Sequence, residues 1–254
     1  MRITSIGQST FKLEIGGIVI LTDPWFTTSG ILYRLFMRRI YPLATDPESI
    51  SHCDVMLVSH NHIDHFDRGA LNLAHRLGTT VVGPASVVKR SRRNGICNYR
   101  QLQTGETVET SGIKVTAVPA FHPLSKDSVG FLVESERNVY FSGDTRFDWS
   151  IVGALRGKRI DVAILQVSCA FYTFLGGADG MDINNAVELA KAIRPKCVVP
   201  MHFDCIGKYL DIAAKKRVSV RTIDVEAVLE RMKQKLSQEG IVCRVLYAGD
   251  TIDI

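Results

Sequence analysis

Hydrophobic and polar positions sort this chain into short β-type runs first and alternating strands and helices later. Runs at Arg2–Ile6, Thr10–Ile15 and Ile18–Thr22 read as strands, and Gly16-Gly17 joins the last two as a hairpin turn. Asp54–Ser59 reads as a buried strand. Arg68–Leu77 has the periodicity of a helix, which Gly78 stops. Further strands are predicted at Thr80–Val82, Ile113–Val118, Val129–Val133 and Val139–Phe141, with a basic helical piece over Ser86–Arg93.

The last third predicts a strand at Val162–Val167, a helix at Ile183–Ile193 and a strand at Cys197–Val199. A charged amphipathic helix over Val225–Leu236 and a strand at Ile241–Leu246 follow. Such alternation calls for sheets covered by helices. No internal repeat, low-complexity tract or linker is visible, so residues 1–254 are expected to form one domain.

Residues 31–40 break the rhythm, mixing large apolar side chains with Arg34, Arg38 and Arg39 before Pro42. The preferred reading is a helix docked on the protein with snorkelling arginines. The alternatives are a lid over an acyl chain and an element lying on a membrane surface.

Composition adds little beyond this. The chain is 46% hydrophobic and 22% charged, as expected of a globular protein with a sizeable core. It has no apolar run long enough to span a bilayer and no signal-peptide pattern, which makes the cytoplasm the expected location. The cysteines at 53, 97, 169, 197, 205 and 243 form no Cys-x-x-Cys pair and read as buried neutral thiols. A formal net charge of +5 favours anionic partners without naming one. Lys89-Arg90-Ser91-Arg92-Arg93 could suggest nucleic acid, but no aromatic-interleaved basic strand accompanies it, and a solvated helix face is expected. Self-association stays open.

The chemistry is concentrated in Ser59-His60-Asn61-His62-Ile63-Asp64-His65, which places three of the seven histidines and a carboxylate directly after an apolar run. If extended, this segment would point residues 60, 62 and 64 to one side and turn His65 away, so that one loop could serve two ions. Imidazole with carboxylate suits zinc, and also manganese or iron, and the lack of cysteine argues against a closed structural zinc site. His122, Asp144 and His202 each follow an apolar strand-like run and are candidates for the remaining ligands. Trp25, Phe26, Tyr172 and Phe174 are candidate walls of a substrate pocket, with core packing as the competing reading. His52 and His75 are expected to be structural.

His-x-His-x-Asp-His followed by a lone His, a lone Asp and a final His resembles the metallo-β-lactamase superfamily. Gly7-Gln8-Ser9-Thr10 with Thr22-Asp23-Pro24-Trp25 is similar to its branch of ascorbate-phosphate lactonases and phospholipase-D-type phosphodiesterases. Gln8 departs from that branch, which often carries histidine there.

The resemblance implies a four-layer αββα sandwich with two divalent metal ions, most simply zinc, at one edge. It implies that His60, His62 and His122 hold one ion and Asp64, His65 and His202 the other. Asp144 would bridge them, and Asp23 would orient a ligand. The expected activity is binuclear hydrolysis of a phosphodiester or lactone bond by a metal-bound hydroxide, with Asp64 handling a proton. The substrate would be small or lipid-like and anionic. A non-catalytic metal-dependent sensory or binding protein is the alternative from another class, and a nuclease is a minor one.

Overall fold

The computed structural model describes residues 1–31, 33, 38–167, 171–172, 177–206, 208–211, 216–219 and 225–254. Two seven-stranded sheets dominate. The first runs in the order Thr251–Asp253, Arg2–Gly7, Thr10–Ile15, Ile18–Thr22, Val55–Leu57, Thr80–Gly83, Tyr99–Gln101. The second runs Thr107–Thr110, Ile113–Pro119, Val129–Glu134, Val139–Phe141, Val162–Gln166, Cys197–Met201, Val242–Cys243. Each sheet begins with three antiparallel pairings and ends with three parallel ones. The topology is therefore repeated although the sequence shows no repeat.

Period-two alternation places each sheet between two apolar layers. Ile113, Val115, Ala117, Val162 and Ile164 meet Leu13, Ile20, Val55 and Leu57 of the other sheet in a shared core. Their strand neighbours Ala163, Leu165 and Val198 face outward onto three helices, α3 (Trp149–Leu155), α4 (Ile183–Ile193) and α5 (Val225–Gln238). Leu21, Met56, Val58 and Val81 pack under α1 (Arg68–Leu77) and α2 (Ala85–Arg93). Helices, sheet, sheet and helices give the expected αββα sandwich.

Helix ends follow local chemistry. The Asp67 side chain accepts the Ala70 N–H at the start of α1, and Gly78 ends it in the left-handed region at φ 64°. Asp182 caps α4 through the N–H groups of Asn184 and Asn185.

Several expectations change. The strand read over Ile241–Leu246 narrows to Val242–Cys243, which pair in parallel with Cys197 and Val198, and the Arg244 N–H makes one further bond to the Val198 carbonyl. Strands at Tyr99–Gln101, Thr107–Thr110 and Thr251–Asp253 and the helix at Trp149–Leu155 went unpredicted. Residues 32 and 34–37 lie outside the described residues, and with them half of the proposed insertion; Arg38–Arg39 forms a two-residue strand against Cys205–Ile206. Arg39 does not snorkel. It is 5% exposed, its guanidinium lies 3.5 Å from the Trp25 ring centroid, and it donates to the carbonyls of Trp25 and Thr27.

Burial raises the thiols of Cys53 and Cys243 to about 12 and that of Cys197 to about 11, while Cys97 is exposed. No helix among the described residues is long and apolar enough to cross a membrane.

Candidate metal centre

Every candidate ligand lies just past the end of a strand, and the sandwich brings those ends together on one lip. Asp23 follows Ile18–Thr22, the histidine loop follows Val55–Leu57, and His122 follows Ile113–Pro119. Asp144 follows Val139–Phe141, and His202 follows Cys197–Met201.

The histidine loop is not extended throughout. Residues 63–65 form a turn, closed by His65 N–H and Phe66 N–H donating to the His62 carbonyl at 3.2 and 3.0 Å. The turn, rather than strand alternation, swings Asp64 and His65 to a different place from His60 and His62. Asp67 fixes its far end, accepting from the Phe26 and Thr27 N–H groups and the Thr27 hydroxyl as well as capping α1.

The structure gathers the predicted residues into two groups of three. In each of His60/His62/His122 and Asp64/His65/His202, one ligand atom per residue lies within 4.8 Å of the others. Hydrogen bonds on the far sides of the rings set the tautomers of the first group. His60 Nδ1–H donates to Ser59 Oγ at 2.9 Å, His62 Nε2–H to the Leu124 carbonyl at 3.2 Å, and His122 Nδ1–H to the Asp179 carbonyl at 3.1 Å. Three bare nitrogens then face one another, with His122 Nε2 only 3.2 Å from His62 Nδ1. Burial lowers the His60 and His122 imidazoles below their ordinary value and keeps them neutral, the form that ligates metal.

Asp144 connects the second group. Its Oδ2 lies 3.3 Å from His65 Nε2 and 3.4 Å from His202 Nε2, and Asp64 Oδ2 lies 3.6 and 3.7 Å from the same atoms. Burial alone would raise both carboxyls and lower both imidazoles, but the opposed charges win. Asp64 and Asp144 sit well below the carboxylate range, His65 well above its usual value, and His202 at about 9. Carboxylates that hold protons on His65 and His202 are suited to hold a cation in their place.

A third grouping, Asp23/His60/His65, also has metal-like spacing. Its oxygens are already engaged: Asp23 accepts the Ser59 N–H and hydroxyl, each at 2.6 Å, and His65 Nδ1–H at 2.8 Å. Asp23 therefore orients His65 directly and His60 through Ser59.

The residues fit a metal pair on their own chemistry. His60 Nε2 and Asp144 Oδ1 are buried without hydrogen-bond partners among the described residues, an expensive state that cations would relieve. Backbone strain is concentrated here too, since Gln8, Asp23 and His202 adopt left-handed conformations without being glycine.

Sequence reading did not foresee Ser59, Asp67 or the place of Gln8, whose amide reaches Asp64 and His202. Gln8 was visible only as a departure from a motif. Trp25 and Phe26 are 1% and 6% exposed and pack inside, Trp25 beneath Arg39, so neither forms an open wall. Tyr172 lies in a two-residue strand paired with Gly177–Ala178, and Phe174 lies outside the described residues. His52 bonds Asp54, and His75 sits on the exposed side of α1.

These features define a metallo-β-lactamase-type protein, and residues 19–203 match the family model described as a beta-lactamase superfamily domain. The chain belongs to that superfamily. Within it, a UPF0173 metal-dependent hydrolase from Rubrobacter xylanophilus is 31% identical, covering 80% of this chain and 81% of its own. A UPF0173 protein from Pyrococcus furiosus is 29% identical over 88% of this chain and 93% of its own. Among solved structures, a metallo hydrolase from Ignicoccus hospitalis superposes with a TM-score of 0.75 at 23% identity, covering 99% of this chain and 97% of its own. An isothiocyanate hydrolase from Delia radicum gut bacteria reaches 0.77 at 18%, covering 100% and 99%. These two share the fold.

Proposed function

We propose that this protein is a binuclear metal-dependent hydrolase that cleaves a phosphodiester or lactone bond in a small or lipid-like anionic substrate. The observation that carries this reading is the pair of ligand triads, His60/His62/His122 and Asp64/His65/His202, with the Asp144 carboxylate against the second. Two divalent cations bound there, zinc first and manganese or iron as alternatives, would supply Lewis acidity, lowering the pKa of coordinated water and neutralising charge on the attacked group.

The chain's own groups supply the rest. His60, His62 and His122 offer three nitrogens, and Asp144 offers oxygen toward both His65 and His202. Asp64 is ionised at neutral pH, the form that both a metal ligand and a proton acceptor need, and the role assigned to it is handling a proton.

The rim supports an apolar part in the substrate. Ile63, Phe121 and Leu124 stand 43, 42 and 47% exposed on the loops that carry the ligands, and Trp149 is 64% exposed just beyond Asp144. Lys89, Arg92 and Arg93 are exposed on α2, while Arg90 is half-buried and donates to Asn61 inside the histidine loop at 3.2 Å. That arrangement favours a small anionic ligand over nucleic acid.

The test is hydrolysis of an aryl phosphodiester and a simple lactone by protein reconstituted with zinc or manganese, beside a chelated control. Metal-dependent turnover of either is expected. No turnover of either by protein shown to carry both metals would shift the reading to a binding or sensory protein.

A further inference from the structure

Gln8 sits closer to the second triad than its place in the sequence suggests. Its terminal amide atom lies 3.0 Å from Asp64 Oδ2 and 2.9 Å from His202 Nε2. Ligand atoms about 2.1 Å from one cation lie about 3.0 Å apart when six surround it and about 3.4 Å apart when four do. The amide therefore meets the triad at ligand-to-ligand spacing, like Asp144 at 3.3 and 3.4 Å.

The backbone holds it there. Gln8 takes a left-handed conformation at φ 54°. Its N–H donates to Asp204 Oδ2 at 2.9 Å, and its carbonyl accepts the N–H of His202, another left-handed residue, at 3.3 Å. The side chain is 4% exposed, and Oε1 has no hydrogen-bond partner among the described residues.

His202 Nε2 has one lone pair, which an amide N–H and a cation cannot share. A half-turn of the amide about its last bond brings the unpartnered oxygen to the position beside both ligand atoms.

We propose that Gln8 Oε1 is a further, neutral ligand of the ion held by Asp64, His65 and His202, and that it biases this position toward manganese or iron(II) over zinc. The inference rests on the metal-centre reading above. Amide oxygens are hard donors that suit cations accepting five or six ligands, whereas zinc is satisfied by four.

The test uses the full chain and titrates Zn²⁺ and Mn²⁺ against a competing chelator for wild type, Gln8→Asn, Gln8→Glu and His65→Ala. Asparagine accepts the left-handed backbone readily but is one methylene too short, and glutamate restores an oxygen. For Gln8→Asn, Mn²⁺ affinity at one of two sites should fall about tenfold or more, with Zn²⁺ affected less. Gln8→Glu should retain Mn²⁺ binding. Cobalt(II) at this site should show more intense visible bands in Gln8→Asn, reporting a lower coordination number.

Equal losses for both metals with an unchanged cobalt spectrum would overturn the ligand and leave Gln8 a donor to Asp64. Unchanged titrations would also overturn it. If wild type has no site that His65→Ala removes, the metal-centre reading itself fails and this inference with it.

Discussion

Asp23 Oδ2 accepts His65 Nδ1–H at 2.8 Å and the Ser59 hydroxyl at 2.6 Å, while the same hydroxyl accepts His60 Nδ1–H at 2.9 Å. One buried carboxylate thus sets a ring in each triad. Burial raises its own carboxyl, against the opposing pull of His65 and Ser59. Replacing Asp23 with alanine should weaken metal binding about 10–100-fold, the usual effect of losing a group that orients a ligand. Chelator competition measures this, and wild-type affinity in a folded Asp23→Ala protein would contradict the orienting role.

Gly143 precedes Asp144 with φ at 57°, and a Cβ there would meet Ser59 Cβ at 2.6 Å and the Val129 carbonyl at 3.0 Å. Gly143→Ala adds left-handed strain to a clash with the residue that supports His60. The expected cost is about 3 kcal/mol, read from denaturant midpoints. A shift below about 0.5 kcal/mol would show that the two loops separate easily.

Asp161 has a 1% exposed side chain facing Lys196 Nζ and Arg159 Nη2, each at 2.8 Å, with Arg137 at 3.7 Å. Burial would raise its carboxyl, but Lys196, Asn138 and Arg159 outweigh it and depress the folded value well below the ordinary one. A depressed folded pKa means stabilisation that is complete above the unfolded value of about 3.9 and fades as pH falls toward the folded one. Asp161→Asn should cost about 2 kcal/mol at pH 7, the partners' exposure keeping it from being larger. The gap from wild type should narrow below about pH 4. Unfolding at pH 7 and pH 3 gives the comparison, and a gap independent of pH would remove charge as the cause.

Asp64 is ionised, and both of its imidazole neighbours belong to its own triad. Asp64→Asn should lower turnover at least tenfold. Chelation of the wild type should also lower Tm, since ligands binding only the folded state at 100 times Kd stabilise it by about 2.7 kcal/mol. Near-normal turnover in a folded, metal-loaded Asp64→Asn protein would sink the proposed role, and an unchanged Tm after metal removal would argue against metals bound to the folded state.

Residue types and short-range spacing were enough to read much of this protein. The Gly16-Gly17 hairpin, α1 between Asp67 and Gly78, and α4 over Ile183–Ile193 depend on contacts within a few residues, and all three form as read. Likewise His60-x-His62-x-Asp64-His65, with His122, Asp144 and His202 each after an apolar run, marked the candidate ligands from the chain alone.

Tertiary structure decided what depends on distant partners. Thr251–Asp253 is a strand only because Arg2–Thr4 lies beside it, and Tyr99–Gln101 only because Val81–Gly83 does. Trp25 looks like a pocket wall until Arg39 is seen stacked on it. Gln8 reads as a motif lapse until the sandwich sets its amide against Asp64 and His202, 56 and 194 positions away. Local pattern encodes how a segment bends and which face is apolar. Which faces meet is a property of packing, because the energy that selects them comes from burying surfaces far apart in the chain.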